Sequence, residues 1–316
     1  GTGGFKIIGE NPGDLLGKSV AIADFNGDGI DDIIVGATRN DPVSNNEGAV
    51  YVVFGLDNLS GTVDLDNVAL GTGGIKISGQ GLTELSGHSI ANAGDVNGDG
   101  LVDILIGAPQ NDDAAANAGA AYLVFGTNTP GPINLADVVN GTGGFQMLGE
   151  FTGDETGFSV NAAGDVNGDG IADFIVGAPN QDLNGSETGA AYVVFGTAVP
   201  PASLDLADVA NGTGGFKIIG EQAFDYAGFS VAAGDINGDG VDDIIIGGHT
   251  EGILSGNVDV IFGVDGRSVD NQPRRYRSGY GWFPHYRRGE WRLCRLRRVV
   301  VRYQWRRIRR YNNRCA

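Results

Sequence analysis

The sequence has 316 residues, enough for two or three ordinary domains or for one large repetitive domain. Its net charge of −18 joins two opposite parts: residues 264–316 hold 16 Arg and three acidic residues (net +13), and residues 1–263 hold five basic and 36 acidic residues (net −31). The strong negative charge of residues 1–263 excludes binding of this part to nucleic acid or to an anionic membrane surface. No run of apolar residues in the sequence is long enough to span a membrane.

The chain repeats its own beginning three times. Residues 1–9, Gly-Thr-Gly-Gly-Phe-Lys-Ile-Ile-Gly, have close copies that start at Gly71, Gly141 and Gly212, so the period is 70 or 71 residues. A fixed period of this length indicates one repetitive domain over residues 1–263.

One period predicts four short strands, named A to D, over residues 18–23, 32–36, 49–54 and 74–78. Strand B is almost wholly apolar, so we expect it to be covered on both faces. Strand D alternates, and its Lys76, with Lys6 and Lys217 at the same repeat position, is predicted to protect an exposed outer edge from strand addition. Helical patterns are nearly absent; residues 204–210 predict a single turn at most.

An acidic nonapeptide joins strands A and B in every repeat. In residues 95–103 it reads Asp-Val-Asn-Gly-Asp-Gly-Leu-Val-Asp, with side-chain oxygens at positions one, three, five and nine and a Gly at position six. Ca²⁺ takes six or more oxygen ligands from such a tightly turned loop, to which the carbonyl of position seven can contribute. Three carboxylates within nine residues would repel one another without a cation. The pattern predicts about one Ca²⁺ per intact repeat.

The predicted ligands occupy positions one, three, five, seven and nine of the loops 24–32, 95–103, 165–173 and 235–243. They are Asp24, Asn26, Asp28, Ile30 and Asp32; Asp95, Asn97, Asp99, Leu101 and Asp103; Asp165, Asn167, Asp169, Ile171 and Asp173; and Asp235, Asn237, Asp239, Val241 and Asp243. Asp31 and Asp242, at position eight, are predicted to face solvent. Mg²⁺ fits less well because it keeps its waters, and an EF-hand is excluded because a strand follows each loop. The alternative is a set of Asx-rich turns without metal.

Four strands in each 70-residue period predict an all-β protein, a β-propeller of four-stranded blades. A two-sheet sandwich is the alternative, but it would not repeat at this period.

The repeats resemble the FG-GAP repeats of the integrin alpha-subunit propeller and its bacterial relatives. Gly-Ala-Pro is kept at 107–109 and 177–179 and altered at 36–38 and 247–249. The Phe expected before the Gly of strand A is replaced by Leu16, Ser86, Thr156 and Ala227.

The resemblance also bears on the number of blades. Family propellers usually have seven blades, so four intact repeats imply part of a larger propeller. The strand count leaves a lone D strand at residues 5–8 and a C strand at residues 257–262 without an outer neighbour. We hypothesise that these two strands pair and close a ring of four blades, at the low end of the known range.

The basic tail, residues 264–316, does not continue the repeat. Read one nucleotide later, its codons can spell Gly-Thr-Gly-Gly-Phe-Arg-Ile-Ile over residues 279–286 and a fifth cation loop from residue 302. We interpret the tail as a frameshifted fifth repeat, which predicts disorder, and sequencing the gene tests this. The alternative is a basic arm whose Arg and Trp residues bind nucleic acid.

No catalytic residue is predicted. His88 and His249 occupy different repeat positions, and no nucleophile elbow, zinc pair or phosphate loop is present. Ser19, Ser89, Ser159 and Ser230 recur at one position of strand A and are predicted to be structural.

Two classes of function stay open. The resemblance favours a non-catalytic, calcium-stabilised binding or adhesion module whose partner is a protein or glycan ligand. The alternatives are the propeller scaffold of an extracellular lyase or hydrolase and a structural spacer in a large surface protein. Calcium loops and a body without Cys predict a secreted protein, extracellular or on the cell surface.

Overall fold

In the computed structural model, the described residues are 4–40, 46–56, 61–81, 83–129, 131–183, 185–249 and 256–263, with the backbone of three strands between residues 274 and 295. Apart from three short helices, the regular structure is β, as predicted. Strand β1 (Phe5–Ile8) precedes the first blade.

Each repeat forms one antiparallel sheet in the order A-B-C-D, which confirms the predicted blade. The strands of blade 1 are β2 (Leu16–Ala23), β3 (Asp32–Ala37), β4 (Ala49–Val53) and β6 (Gly74–Ser78). Those of blade 2 are β7 (Ser89–Gly94), β8 (Asp103–Ala108), β9 (Ala120–Val124) and β11 (Gly144–Leu148). Those of blade 3 are β12 (Ser159–Gly164), β13 (Asp173–Ala178), β14 (Ala190–Val194) and β16 (Gly215–Ile219). Those of blade 4 are β17 (Ala227–Gly234), β18 (Asp243–Gly248), β19 (Asn257–Phe262) and β20 (Arg274–Tyr276).

Three C–D connections contain a short strand and a one-turn helix. They are β5 (Gly61–Asp64) with α1 (Leu65–Ala69), β10 (Ile133–Asn134) with α2 (Leu135–Val139), and β15 (Ser203–Asp205) with α3 (Leu206–Ala210). Each helix begins after an Asp or Asn that accepts a backbone N–H, as Asn134 does from Ala136 at 2.8 Å. Each buries a Leu and a Val three residues apart, such as Leu135 and Val138. These contacts anchor a segment that has little helical pattern.

The outer edges of three D strands are covered, which the sequence did not predict, whereas β16 has no outer partner among the described strands. Strands β5, β10 and β15 pair in parallel with the preceding D strands β1, β6 and β11. The edge-protecting role predicted for Lys6 and Lys76 is therefore wrong, because the edges of β1 and β6 are covered, and Lys76 forms an ion pair with Glu10. It is wrong for Lys217 for another reason: its side chain is only 3% exposed and forms an ion pair with Glu150.

The hypothesis that β1 and β19 pair to close a ring is also wrong. Strand β1 pairs with β5, and β19 lies between β18 and β20. The inner strands contact one another in the order β2, β7, β12, β17. The described blades therefore form an arc.

Apolar clusters fill the joints between neighbouring blades. Between blades 1 and 2, for example, Phe25, Ile34 and Val50 of one blade pack with Ile90 and Ile104 of the next. Equivalent clusters lie between blades 2 and 3 and between blades 3 and 4. Strands β8 and β13 are buried along their whole length, which confirms for blades 2 and 3 that strand B is covered on both faces; β18 of blade 4 is only partly buried.

Most of the basic tail lies outside the described residues. Its described backbone comprises β20, which extends blade 4, and the pair β21 (Trp282–Arg287) and β22 (Glu290–Arg295). The frameshift and disorder assigned to residues 264–316 stay predictions. None of the described helices is long and apolar enough to cross a membrane.

Candidate cation loops and buried polar clusters

The four nonapeptide loops curl in the same way because two glycines adopt left-handed backbone angles. In the second loop, Gly98 at position four has φ 75° and Gly100 at position six has φ 90°. A side chain at either position would be strained, since only Gly visits this region at low cost. The Gly predicted for the sharp turn therefore has its expected role.

Side chains at positions one and five turn inward onto the loop backbone. Asp95 accepts the N–H of Asp99 at 3.0 Å and that of Gly100 at 2.9 Å. Asp99 accepts the N–H of Leu101 at 2.9 Å. The other loops repeat the bond from position six to position one, at 2.9, 2.8 and 2.9 Å. The carboxylates at positions one and five are thus held against the same turn of backbone.

Position nine has a role that the sequence analysis missed. Asp103 is fully buried and accepts the N–H of Val96 at 3.0 Å and that of Gly126, beyond strand C, at 3.0 Å. Asp32, Asp173 and Asp243 make the same two bonds in their own blades. A Cβ on Gly126 would lie 2.6 Å from the carbonyl oxygen of Val102. The Phe-Gly that ends each strand C was the signal in the sequence.

Negative charge accumulates around position nine. The pKa of Asp103 is raised to about 7, mainly by burial; the N–H groups of Gly126 and Val96 act to lower it, and the charges of Asp99 and Asp95 act to raise it. Asp173 is in the same situation, with a pKa of about 7. A buried carboxyl beside two other carboxylates is the environment that a cation would relieve.

The donor set of each loop fits a hard cation: three carboxylates, one amide oxygen and a backbone carbonyl, all oxygen. Across the described ranges, however, no three Asp, Glu, His or Cys side chains are already gathered as a metal cage. Asp31, at position eight, is exposed as predicted, whereas Asp242 is half-buried.

The fourth loop differs from the first two. The Asn97 amide donates to Asp99 at 2.9 Å, and Asn26 donates likewise to Asp28. In the fourth loop, Asn237 donates instead to Asp243 at 3.1 Å. All residues from Asp235 to Gly240 are exposed there, because no further described blade covers the loop.

We expect Asp103→Asn to lower the free energy of unfolding by about 2 kcal/mol even in chelator, because the amide turns an NH₂ group toward a buried backbone N–H that needs an acceptor. The matched control is Asp31→Asn, the same substitution at the exposed position eight of the blade 1 loop. It should change the free energy of unfolding by no more than about 0.5 kcal/mol. Urea unfolding in EGTA measures both. Equal stability of the two variants would contradict the structural role of position nine.

A second set of polar residues is buried around the Tyr of strand C. In blade 1, Tyr51 and Lys76 both donate to Glu10. In blade 3, Tyr192 and Lys217 both donate to Glu150.

Blade 2 builds this cluster without a cationic residue. Tyr122 donates to Glu84 at 3.4 Å, and Gln146, in the place of the Lys, donates to Asp113 at 2.7 Å. The amide of Asn111 bridges Glu84 and Asp113, at 3.0 and 3.2 Å. These acids all have structural partners.

Asp154 of blade 3 is the exception among these acids. It is 2% exposed, and its Oδ2 has no hydrogen-bond partner among the described residues. Its counterpart in blade 1, Asp14, accepts a hydrogen bond from the Asn40 amide at 2.7 Å. In blade 3 the residue equivalent to Asn40 is Gln181, whose Oε1 accepts the N–H of Leu183. Burial raises the pKa of Asp154 to about 7, although the Lys217 charge lowers it.

We expect Asp154→Asn to stabilise the protein above pH 7, by about 2 kcal/mol. Between the ordinary carboxyl range and pH 7 the folded state keeps a proton that the unfolded state releases, so wild-type stability falls as pH rises. The Asn side chain of the variant carries no charge at any pH. Its stability advantage over the wild type should therefore shrink below pH 5, where the wild-type Asp154 is protonated and uncharged as well. Asp14→Asn, whose carboxylate is paired, is the control and should lose stability. Equal losses in both variants at pH 8 would contradict the assignment.

Four aromatic rings lie in a row, three of them at the start of inner strands and one, His249, directly after β18. His88 lies 4.7 Å from Phe158, Phe158 lies 4.8 Å from Phe229, and Phe229 lies 4.9 Å from His249 (ring centroids). The two His residues are thus linked by two Phe rings, which the sequence spacing did not reveal. The structural role predicted for the recurrent Ser is confirmed for Ser19, Ser89 and Ser159, which donate to the next blade.

Comparison with known proteins agrees with this architecture. The FG-GAP repeat family matches residues 16–53, 86–124, 157–194 and 227–264, which are strands A to C of each blade with the cation loop. The fold and the loops define a propeller of FG-GAP repeats, and the chain belongs to this family.

Among its relatives are integrin alpha subunits. It is 31% identical to Integrin alpha pat-2 of Caenorhabditis briggsae over 258 residues, 76% of this chain and 18% of that protein. It is 30% identical to Integrin alpha-PS2 of Drosophila melanogaster over 60% of this chain and 12% of that protein. It is also 30% identical to Phosphatidylinositol-glycan-specific phospholipase D of Dictyostelium discoideum, over 66% of this chain and 23% of that protein. The chain thus spans less than a quarter of these relatives.

Proposed function

We propose that this chain is an extracellular, non-catalytic binding or adhesion module, stabilised by about one Ca²⁺ per repeat, with a protein or glycan ligand. The observation that carries the proposal is the fourfold oxygen-rich loop with a buried position-nine carboxyl, within a chain similar to integrin alpha subunits. Ca²⁺ would be held by positions one, three, five, seven and nine. It would supply positive charge to neutralise the carboxylates.

The proposed binding surface is the upper end of the blades, formed by the B–C and D–A connections. The cation loops and C–D connections form the lower end. Four apolar side chains, about half exposed, lie in the connections of the upper end: Leu15 (50%), Phe151 (50%), Leu183 (52%) and Phe224 (47%). Exposed apolar groups rimmed by polar loops are typical of interaction sites.

Backbone bonds between neighbouring blades hold this surface in shape. The N–H of Thr156 donates to the carbonyl of Ala118 at 3.0 Å, and Ala227 repeats the bond to Thr188 at 3.1 Å. Each D–A connection also holds a non-Gly residue in left-handed geometry, such as Leu85 at φ 56°. Pre-organised loops lower the entropy cost of binding.

The test is binding of the chain to a glycan array and to a panel of purified extracellular-matrix proteins, in millimolar Ca²⁺ and in EGTA. We expect at least one calcium-dependent ligand, whose binding is lost in Phe151→Asp with Phe224→Asp. Val199→Asp, an 83% exposed residue of the lower end, should bind normally. Binding that survives the upper-end change but not the lower-end change would overturn the proposed surface, and no binding to either set would overturn the proposed function.

A further inference from the structure

The acidic side chains at the upper end of blades 1 and 2 are joined in pairs, each pair by one side-chain amide. In blade 1 the amide nitrogen of Asn40 donates to Asp14 at 2.7 Å and to Glu10 at 3.2 Å. In blade 2 the amide nitrogen of Asn111 bridges two acids in the same way, at 3.0 and 3.2 Å. One donor therefore lies between two carboxylates in each of these blades.

Blade 3 has the acidic pair, Glu150 and Asp154, without this bridge. Gln181 stands at the repeat position of the bridging Asn, but Oδ2 of Asp154 has no hydrogen-bond partner among the described residues, so the Gln181 amide does not reach it. The same holds for Oγ1 of Thr156, two residues further along. Asp154 is 2% exposed and Thr156 is 0% exposed. Two buried oxygen atoms of one D–A connection thus lack a partner in the part of the chain that the structure describes.

Burial separates this pair from its counterpart in blade 1. When both acids are ionised, Lys217, Glu150 and Asp154 together carry one net negative charge. The side chains of Lys217 and Glu150 are 3% and 7% exposed, whereas those of Lys76 and Glu10 in blade 1 are 18% and 24% exposed. Water can therefore screen the same net charge in blade 1 but hardly reaches it in blade 3. A buried charge without a partner is costly.

We propose that an alkali-metal ion, Na⁺ or K⁺, binds between Glu150 and Asp154 of blade 3, at the upper end and away from the cation loops. Its single charge would balance the net charge of the cluster, which a water molecule would not do. A divalent ion would instead give the cluster a net positive charge beside the ammonium group of Lys217. Carboxylate and hydroxyl oxygens are the ligands that hard cations prefer.

The hydroxyl of Thr156 would supply a third oxygen. At the same repeat position in blade 2, Oγ of Ser86 lies 3.5 Å from the carboxylate of Glu84. A Cβ on Gly149, the residue before Glu150, would lie 2.7 Å from Oγ1 of Thr156, so the hydroxyl lies against the start of the same connection. Three side-chain oxygens are fewer than the six or more that Ca²⁺ takes, which is a second reason to assign a monovalent ion.

The cluster is close to solvent although its members are buried. The ring of Phe151 lies 5.9 Å from Nζ of Lys217 and is 50% exposed. A single half-exposed side chain therefore lies between Lys217 and the surface, and its movement is enough to admit a small ion.

The experiment is thermal unfolding of the full chain at pH 8, in millimolar Ca²⁺ throughout and in about 0.2 M NaCl, KCl or tetramethylammonium chloride. Tetramethylammonium is too large to lie between two carboxylates. We expect the midpoint to be about 3–6 °C higher in NaCl or KCl, the shift for an ion at about ten times its dissociation constant. The constant Ca²⁺ concentration keeps the cation loops in one state in all three salts.

Three variants assign the effect to blade 3. Asp154→Asn removes a ligand charge and should abolish the difference between the salts, so its expected stabilisation should be largest in tetramethylammonium. Gln181→Asn restores the amide of blades 1 and 2, so it should raise the midpoint in tetramethylammonium and abolish the difference as well. Asp14→Asn, the same substitution at the same repeat position of blade 1, is the matched control and should keep the wild-type difference.

A wild-type midpoint that is equal in all three salts would overturn the inference and would place water between the acids. So would a salt difference that persists in Asp154→Asn or in Gln181→Asn, or one that Asp14→Asn removes equally. None of these results depends on ligand binding at the upper end.

Discussion

Chelation of Ca²⁺ is expected to lower the midpoint of thermal unfolding by about 20 °C or more. A ligand at one hundred times its dissociation constant stabilises the folded state by about 2.7 kcal/mol per site, so four sites contribute about 11 kcal/mol. For a domain of this size, each kcal/mol shifts the midpoint by about 2–4 °C. The position-nine carboxyls explain the size of the effect, since they are fully buried beside other acids.

The measurement is calorimetry in Ca²⁺ and in EGTA, together with the number of ions bound. Asp28→Asn should lose one bound ion, because position five is a predicted ligand. Asp31→Asn removes the same charge from the same loop at an exposed non-ligand position and should keep all ions. An unchanged melting curve in EGTA, or equal loss of ions in both variants, would favour the Asx-turn alternative.

Lys217→Met is expected to lower the free energy of unfolding by about 3–5 kcal/mol at pH 7, the usual result of removing one partner of a buried ion pair. The side chains of Lys217 and Glu150 are 3% and 7% exposed, and Asp154 lies in the same cluster. Without Lys217, the acids stay buried with no cation. The loss should therefore be smaller at low pH, where the carboxylates take up protons.

The chain contains its own controls for this change. Lys6 has the same repeat position and is exposed, so Lys6→Met should cost no more than about 0.5 kcal/mol. Lys76, whose side chain is 18% exposed beside Glu10, should fall between the two. Lys217→Gln with Glu150→Gln copies the neutral residues of blade 2 and should recover much of the loss. If all three single Lys variants had the same stability in urea unfolding, the role assigned to burial would be wrong.

Features with a local cause could be predicted from the sequence. The length of one blade can be read from the period of the repeat. Strand B is recognisable because a strand that is buried on both faces is apolar throughout. The cation loop is recognisable because its oxygen-bearing residues all lie within residues 95–103. Each of these properties depends on neighbours a few residues apart. The blades and the loops were predicted for this reason, whereas the structural role of Ser89 was predicted from its recurrence in every repeat.

Only the tertiary structure decided which distant residues meet. The sequence of strand D does not show that a parallel strand covers it, that Lys217 is buried while Lys6 is exposed, or that Asp103 accepts the N–H of Gly126. Nor does it show that β1 pairs with β5. These contacts join residues about 20 to 70 positions apart, and equal side chains at equal repeat positions differ only in whether another blade packs against them. Packing is set by the neighbouring blade, which a local pattern does not encode.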